Sequence, residues 1–201
     1  MAQYAYYHPA TCEVLDWIDD AALNVVLPES IVPVNDEQWR SRNQKCWICL
    51  TPLSFITTPP PGEFYRLEGD KWVYDPEAFA AALAQAKAQM VEEIKTYRDR
   101  LTTDYIVIDD IRFHSDPLSR TQQTTLTRMG QAGTVPAGLM WKTRSSEFIE
   151  MTNELAAQFE PVTMAHDTRL FANAQRHIDA VEILEDIQMV QIYDYSDGWQ
   201  P

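Results

Sequence analysis

Basic residues are scarce in this chain: 16 Lys and Arg stand against 30 Asp and Glu, a formal charge of -14 over 201 residues. That balance opposes docking on phosphate backbones or anionic lipid, so nucleic acid and membrane surfaces are not expected partners. Six glycines are few for any phosphate cradle, and neither a glycine-rich loop nor a nucleophile elbow around the serines is present. Three cysteines, Cys12, Cys46 and Cys49, are too few, and odd in number, for a secreted disulfide framework. No apolar run approaches the ~20 residues that cross a bilayer, and MAQYAYYHPA lacks the basic and apolar regions of a secretory leader. The expected place is therefore the cytoplasm, or a particle assembled there.

Apolar and aromatic residues are plentiful. Hydrophobic residues make up 45% of the chain, with 6 Trp, 9 Tyr and 7 Phe, enough to build at least one core. The expected class is α+β: a small strand-rich N-terminal unit over 1-58, a Pro-rich linker with a short hairpin over 59-76, a domain of long amphipathic helices and two β-hairpins over 77-186, and an aromatic C-terminal tail over 187-201.

In the first unit, Gln3 to His8 and Cys12 to Ile18 flank a turn at Pro9 and Ala10, a hairpin signal. A stretch punctuated by Pro28 and Pro33 leads to a short helix capped by Asn35 and ending near Asn43. Cys46 to Leu50 and Leu53 to Thr57 form a hairpin about Thr51-Pro52. Pro59, Pro60 and Pro61 impose extended chain, and Glu63 to Tyr74 turn back about Gly69-Asp70. From Asp75-Pro76 the period changes: Phe79, Leu83, Ala86, Met90, Ile94, Tyr97 and Leu101 recur every three or four residues, the mark of a long amphipathic helix.

Hairpins follow about Asp109-Asp110 and Arg144-Ser145-Ser146, the second with Trp141 and Phe148 as cross-strand anchors. Between them a helix runs from about Leu118 to Met129, closed by Gly130 and Gly133. Thr152 caps a last helix striped by Leu155, Phe159, Val162, His166, Leu170, Ala174, His177, Val181 and Leu184, with Pro161 set to kink or restart it.

Three motifs invite chemical readings. Cys46-Trp47-Ile48-Cys49 is a CxxC pair that could ligate zinc or cycle as a dithiol, but only Cys12 and His8 could complete a ligand set, at neither of the usual spacings. His8, His114, His166 and His177 are spread over separate elements. Asp109, Asp110 and Asp116 lack the spacing of a calcium loop and read as turn formers. No catalytic residue, cofactor site or metal site is assigned, and the expectation is a protein that is not an enzyme. Aromatic hairpins, the helical stripe and the aromatic end suit helix-in-groove or strand-addition binding. The expected partner-binding residues are Phe79, Leu83, Met90, Ile94, Tyr97, Tyr193, Tyr195 and Trp199.

The aromatic first strand, Glu13-Val14-Leu15-Asp16-Trp17 and Val34-Asn35-Asp36-Glu37-Gln38-Trp39, followed by Pro59 to Pro61 and the Ala-rich 78-98 segment, resemble phage tail-fibre assembly proteins. Tyr105 to Phe113, Asp116-Pro117-Leu118-Ser119-Arg120, Trp141, Phe148, Met151-Thr152 and the long final helix resemble a phage domain of unknown function found behind such N-termini. Cys46, Cys49 and the aromatic tail stand outside the pattern. The resemblance implies a chaperone that binds a tail-fibre protein and aids its folding, trimerisation or attachment, in the host cytoplasm during assembly. In some phages such a protein stays on the virion as a cap. The alternative is a permanent structural component of fibre or baseplate, with the 79-101 helix joining a bundle. Either a homo-oligomer or a hetero-oligomer with a trimeric fibre is compatible with this reading.

Overall fold

The computed structural model describes residues 2–20 and 27–199. Residues 21–26 of the stretch before Pro28, and Gln200 and Pro201 of the expected tail, lie outside the described residues. The fold is α+β, and the chain divides into two compact units, Met1–Ala81 and Ala82–Pro201.

The first unit is built on β1 (Gln3–Tyr7), β2 (Val14–Asp19) and β3 (Ile31–Val34), an antiparallel sheet in the order β2-β1-β3. Ala5 faces Trp17 and Val32 in this register and is fully buried, a small residue where neighbouring aromatics need room. Helix α1 (Asp36–Arg40) starts at Asn35, whose Oδ1 accepts from Gln38 N at 2.9 Å while Gln38 Oε1 accepts from Asn35 N at 2.9 Å. This reciprocal box satisfies two otherwise orphaned amides. Strands β4 (Trp47–Leu50) and β5 (Leu53–Ile56) form the expected hairpin, tied back to the first sheet by a bridge between Glu13 and Trp47. Trp17 stacks on Phe55 at 5.4 Å. Strands β6 (Tyr65–Glu68) and β7 (Lys71–Tyr74) pair next. This is the short hairpin expected within 59-76, and it belongs to the first unit.

Helix α2 (Pro76–Thr102) begins in the first unit and continues into the second. Strands β8 (Tyr105–Ile108) and β9 (Ile111–His114) turn at Asp109 and Asp110, with φ of 49° and 64°. Two successive positive φ values produce the tight turn that matches strand twist, and Asp tolerates them better than most residues. Helix α3 (Pro117–Gln131) is capped by Asp116. The expectation that Gly130 ends this helix is corrected: Gly130 lies inside it, and the chain turns off at Gly133. A Cβ on Gly130 would sit 2.6 Å from Asn153 O and Ala157 N, so hydrogen is required for α3 to approach the next helix.

Strands β10 (Met140–Lys142) and β11 (Phe148–Glu150) pair with Trp141 opposite Ile149 and Lys142 opposite Phe148. Trp141 and Phe148 are therefore not cross-strand anchors for each other. Successive side chains alternate faces, and a shift of one residue sends Phe148 outward, where it is 64% exposed. Helix α4 (Asn153–Glu182) runs unbroken through Pro161, so the expected restart does not occur. Helix α5 (Ile187–Gln191) and the following residues complete the chain.

The second unit holds two cores. One joins α2, α4, α5 and the C-terminal residues through Met90, Ile94, Leu170, Ala174, Val181, Val190 and Trp199. The other joins β8, β9, α3 and α4 through Ile106, Ile108, Phe113, Leu126, Met151, Ala156 and Phe159. Val190 and Trp199 are thus part of a core, with Tyr193 and Tyr195 packed against it, so the expected aromatic tail is docked on the second unit. No helix among the described residues is long and apolar enough to cross a membrane.

Candidate functional site

Most of the side chains expected to grip a partner are used within the protein itself. Met90 is 6% exposed, Ile94 0% and Trp199 7%; all three lie in the core between α2 and α4, with Leu83, Tyr97, Tyr193 and Tyr195 packed around them. This corrects the reading of Met90, Ile94 and Trp199 as a surface for a partner. Their apolar periodicity records an internal seam, because the same stripe satisfies either partner. Phe79 belongs to the first unit, its ring 5.3 Å from Phe64 and 6.4 Å from Tyr74.

A clasp of rings and hydrogen bonds holds the C-terminal segment. Trp199 stacks on His177 at 5.7 Å and 15°, and Tyr97 meets Trp199 at 5.2 Å and Tyr195 at 5.7 Å. His177 Nε2 lies 2.9 Å from Asp197 O and Nδ1 2.9 Å from Tyr193 Oη. A carbonyl only accepts, so Nε2 carries the hydrogen, and in the neutral ring Nδ1 accepts from the tyrosine. Asn173 Nδ2 donates to the same Asp197 oxygen at 3.0 Å, and Trp199 Nε1 donates to Tyr195 O at 2.5 Å. Gly198, with φ 83°, lets the chain pass beside Asn173 and Arg176 where a Cβ has no room.

What remains open is a shallow groove of about 450 Å³ along the outer side of α2, lined by Gln89, Glu92, Glu93, Thr96, Tyr97, Arg100 and Tyr195. A hollow of about 260 Å³, lined by Ala86, Gln89, Met90, Glu93 and Gln191, shares two of these residues and extends it towards the helix start. Of the expected grip residues, Tyr97 and Tyr195 line the groove and Met90 the adjoining hollow. Arg100 lies over the Tyr97 ring at 4.5 Å. Neither Glu92 nor Glu93 has an ion-pair partner among the described residues; Glu93 Oε1 accepts only from Gln89 Nε2, at 3.2 Å.

The first unit contains a larger cleft, about 610 Å³, walled by Cys12, Glu13, Lys45, Trp47, Tyr65, Arg66, Trp72 and Asp75 among others. Size alone would favour it. Four of its charged side chains, however, are already paired internally: Lys45 with Glu13 at 2.8 Å and Arg66 with Asp75 at 3.7 Å. Trp47 and Trp72 meet edge to face at 5.7 Å, and Lys45 lies over the Trp47 ring. Adjacent carboxylates without an ion-pair partner among the described residues, beside partly exposed rings, are the better mark of a binding surface, and α2 presents Glu92 and Glu93 in this way.

The motifs read as chemical candidates have structural duties. Cys46 and Cys49 are buried, Cys12 is half-buried, and all three are free thiols. Burial pushes the Cys12 and Cys46 thiols above their ordinary range, with Cys49 adding to the effect at Cys12, so little thiolate forms at neutral pH. His8 Nδ1 accepts from the amides of Ala10 and Thr11 in the β1-β2 turn. Asp116 caps α3, accepting from Leu118 N, Ser119 N and the Ser119 hydroxyl, and these bonds hold its carboxyl below the usual range. No group of three or more His, Cys, Asp and Glu among the described residues is placed to hold a metal ion.

In the sequence Arg120 stands out only as the end of the Asp116-Pro117-Leu118-Ser119-Arg120 string. Its guanidinium meets Asp167 of α4 through two bonds of 2.6 and 2.8 Å, Ser115 O at 2.9 Å and Thr102 O at 2.5 Å. One side chain thereby ties the end of α2, the start of α3 and the middle of α4 together. Arginine is the residue for this because its planar fork carries five donors. Sequence offers only the cap string before it, since Asp167 lies 47 positions away.

Residues 85–197 match the family model described as Domain of unknown function (DUF4376), more than half of the chain and nearly all of the second unit. The chain belongs to the DUF4376 family. The match takes in α2 from its third turn, Arg120, Asp167, His177 and the C-terminal segment as far as Asp197. Tyr193 and Tyr195, which stand outside the resemblance drawn from sequence, are thus within the DUF4376 region. No curated protein and no solved structure matches the chain.

Proposed function

We propose that this protein is a non-catalytic binding protein that assists the assembly of a phage tail fibre, engaging the fibre protein through the open face of α2. The observation that carries a binding role is the groove itself: tyrosine rings beside carboxylates that have no ion-pair partner among the described residues. The fibre as partner is supported by the order of motifs across the chain, from the aromatic first strand to the final helix. A folded partner that covers apolar patches on unassembled fibre chains would suppress their off-pathway association. The bundle version of a permanent fibre or baseplate component would need the α2 stripe, whose Met90 and Ile94 are already enclosed.

Co-expression with the neighbouring fibre genes tests the proposal. The fibre is expected to co-purify with this chain and to give several-fold more soluble trimer in its presence. Equal trimer yield without it, together with no co-purification, would sink the proposal. Mass spectrometry of purified virions then separates a transient chaperone, absent from particles, from a cap or structural part present in stoichiometric amount.

A further inference from the structure

Charge is distributed unevenly around the groove. From His177 onward the chain carries six carboxylates and no lysine or arginine. This segment supplies Tyr195 to the groove and Gln191 of α5 to the adjoining hollow, while Glu92 and Glu93 come from α2. Arg100, over the Tyr97 ring, is the basic side chain in the groove lining. The lining therefore combines two tyrosine rings with two carboxylates and one arginine.

Its length limits what can lie there. The two adjoining hollows run along α2 from Ala86 to Arg100, a rise of about 21 Å at 1.5 Å per residue. That equals about four turns of a helix. Strand addition has nothing to pair with on α2, because backbone groups inside a helix are already bonded to one another.

Resting on the binding role proposed above, we propose that the groove takes a basic amphipathic helix of about four turns from its partner protein. Apolar side chains of that helix pack between Tyr97 and Tyr195, and its Lys or Arg side chains pair with Glu92 and Glu93. A second copy of this chain is a poor occupant, since each copy carries a formal charge of -14 and the two repel.

The probe is a synthetic helical peptide of about 14 residues with lysines on one face and leucine and tyrosine on the other, its binding followed by fluorescence anisotropy. Two comparison peptides are a scramble of identical composition and a version with glutamate in place of lysine. The intact peptide is expected to bind at least ~10-fold tighter than either. Replacing both groove carboxylates (Glu92→Lys with Glu93→Lys) should weaken it ~10-fold or more. The same charge change made elsewhere in the second unit (Glu147→Lys with Glu160→Lys) should weaken it less than ~3-fold. Circular dichroism on each variant confirms that helix content is kept.

Equal binding of the scramble, or an equal loss in both double variants, would mean diffuse charge attraction and overturn the proposal. So would concentration-dependent dimerisation abolished by the groove variant, which would identify a second copy as occupant. Fibre co-purification separates this proposal from the one beneath it. If the fibre co-purifies undiminished with the groove variant, the helix-binding groove and the α2 face as fibre contact are wrong, and the role in tail-fibre assembly stands. If the peptide data hold and the fibre does not co-purify, the groove stands and the fibre reading fails.

Discussion

His166 is held mostly among its neighbours, with Nδ1 3.1 Å from Arg169 and Nε2 buried without a well-formed hydrogen bond. Burial pushes its imidazole below the ordinary value; the Leu101 backbone, close enough to favour the charged ring but short of a full bond, opposes this, and Arg169 adds to the depression. The neutral ring is favoured in the fold, so its contribution to stability is present above the unfolded value of about 6.5 and is lost as pH falls through the lower folded value. The thermal midpoint of the native protein should drop between about pH 7 and pH 5.5 more steeply than that of His166→Gln. Parallel curves for the two proteins would exclude His166 as the source.

Gly130 is the other residue whose role depends on atoms far along the chain. Alanine is the better helix former, yet a Cβ at this position would press on the backbone at Asn153 and Ala157. Gly130→Ala is expected to destabilise by about 1–3 kcal/mol, measured from the urea midpoint, the strain of forcing two helices apart outweighing the propensity gain. A neutral or stabilising result would mean that α3 and α4 can separate at little cost.

Among the elements, hairpins and helix starts were legible because their signals are local. Asp109-Asp110, Gly69-Asp70 and the caps at Asn35, Asp116 and Thr152 lie within a few residues of the groups they serve. The face of a strand and the use of an apolar stripe were not. Hydrophobicity read without parity pairs Phe148 with Trp141, and Gly130 reads as a terminator because nothing nearby in sequence reveals α4. The C-terminal segment shows the same limit: its aromatics were visible, their destination was not. Gly198→Ala should release this clasp, making Trp199 accessible to acrylamide quenching and lowering the thermal midpoint by several degrees. The quenching change should vanish in a Trp199→Phe background. If Gly198→Ala leaves both readouts unmoved, the clasp does not contribute to the fold's stability.

For the whole molecule, composition determined that the chain has the apolar content for a core and a strong negative charge, and its changes of period determined α+β with hairpins between long helices. These follow from sequence because turn chemistry, capping and side-chain periodicity act over a handful of neighbouring residues. Only the tertiary structure decided how the chain divides and which side of α2 stays open. Met90 and Ile94 on the stripe face α4 and the C-terminal segment, which leaves Tyr97 and Tyr195 at the edge of that seam and Glu92 and Glu93 beyond it. A stripe of apolar residues states that a helix needs a partner, and its spacing is the same whether that partner is another protein or the same chain ninety residues further on.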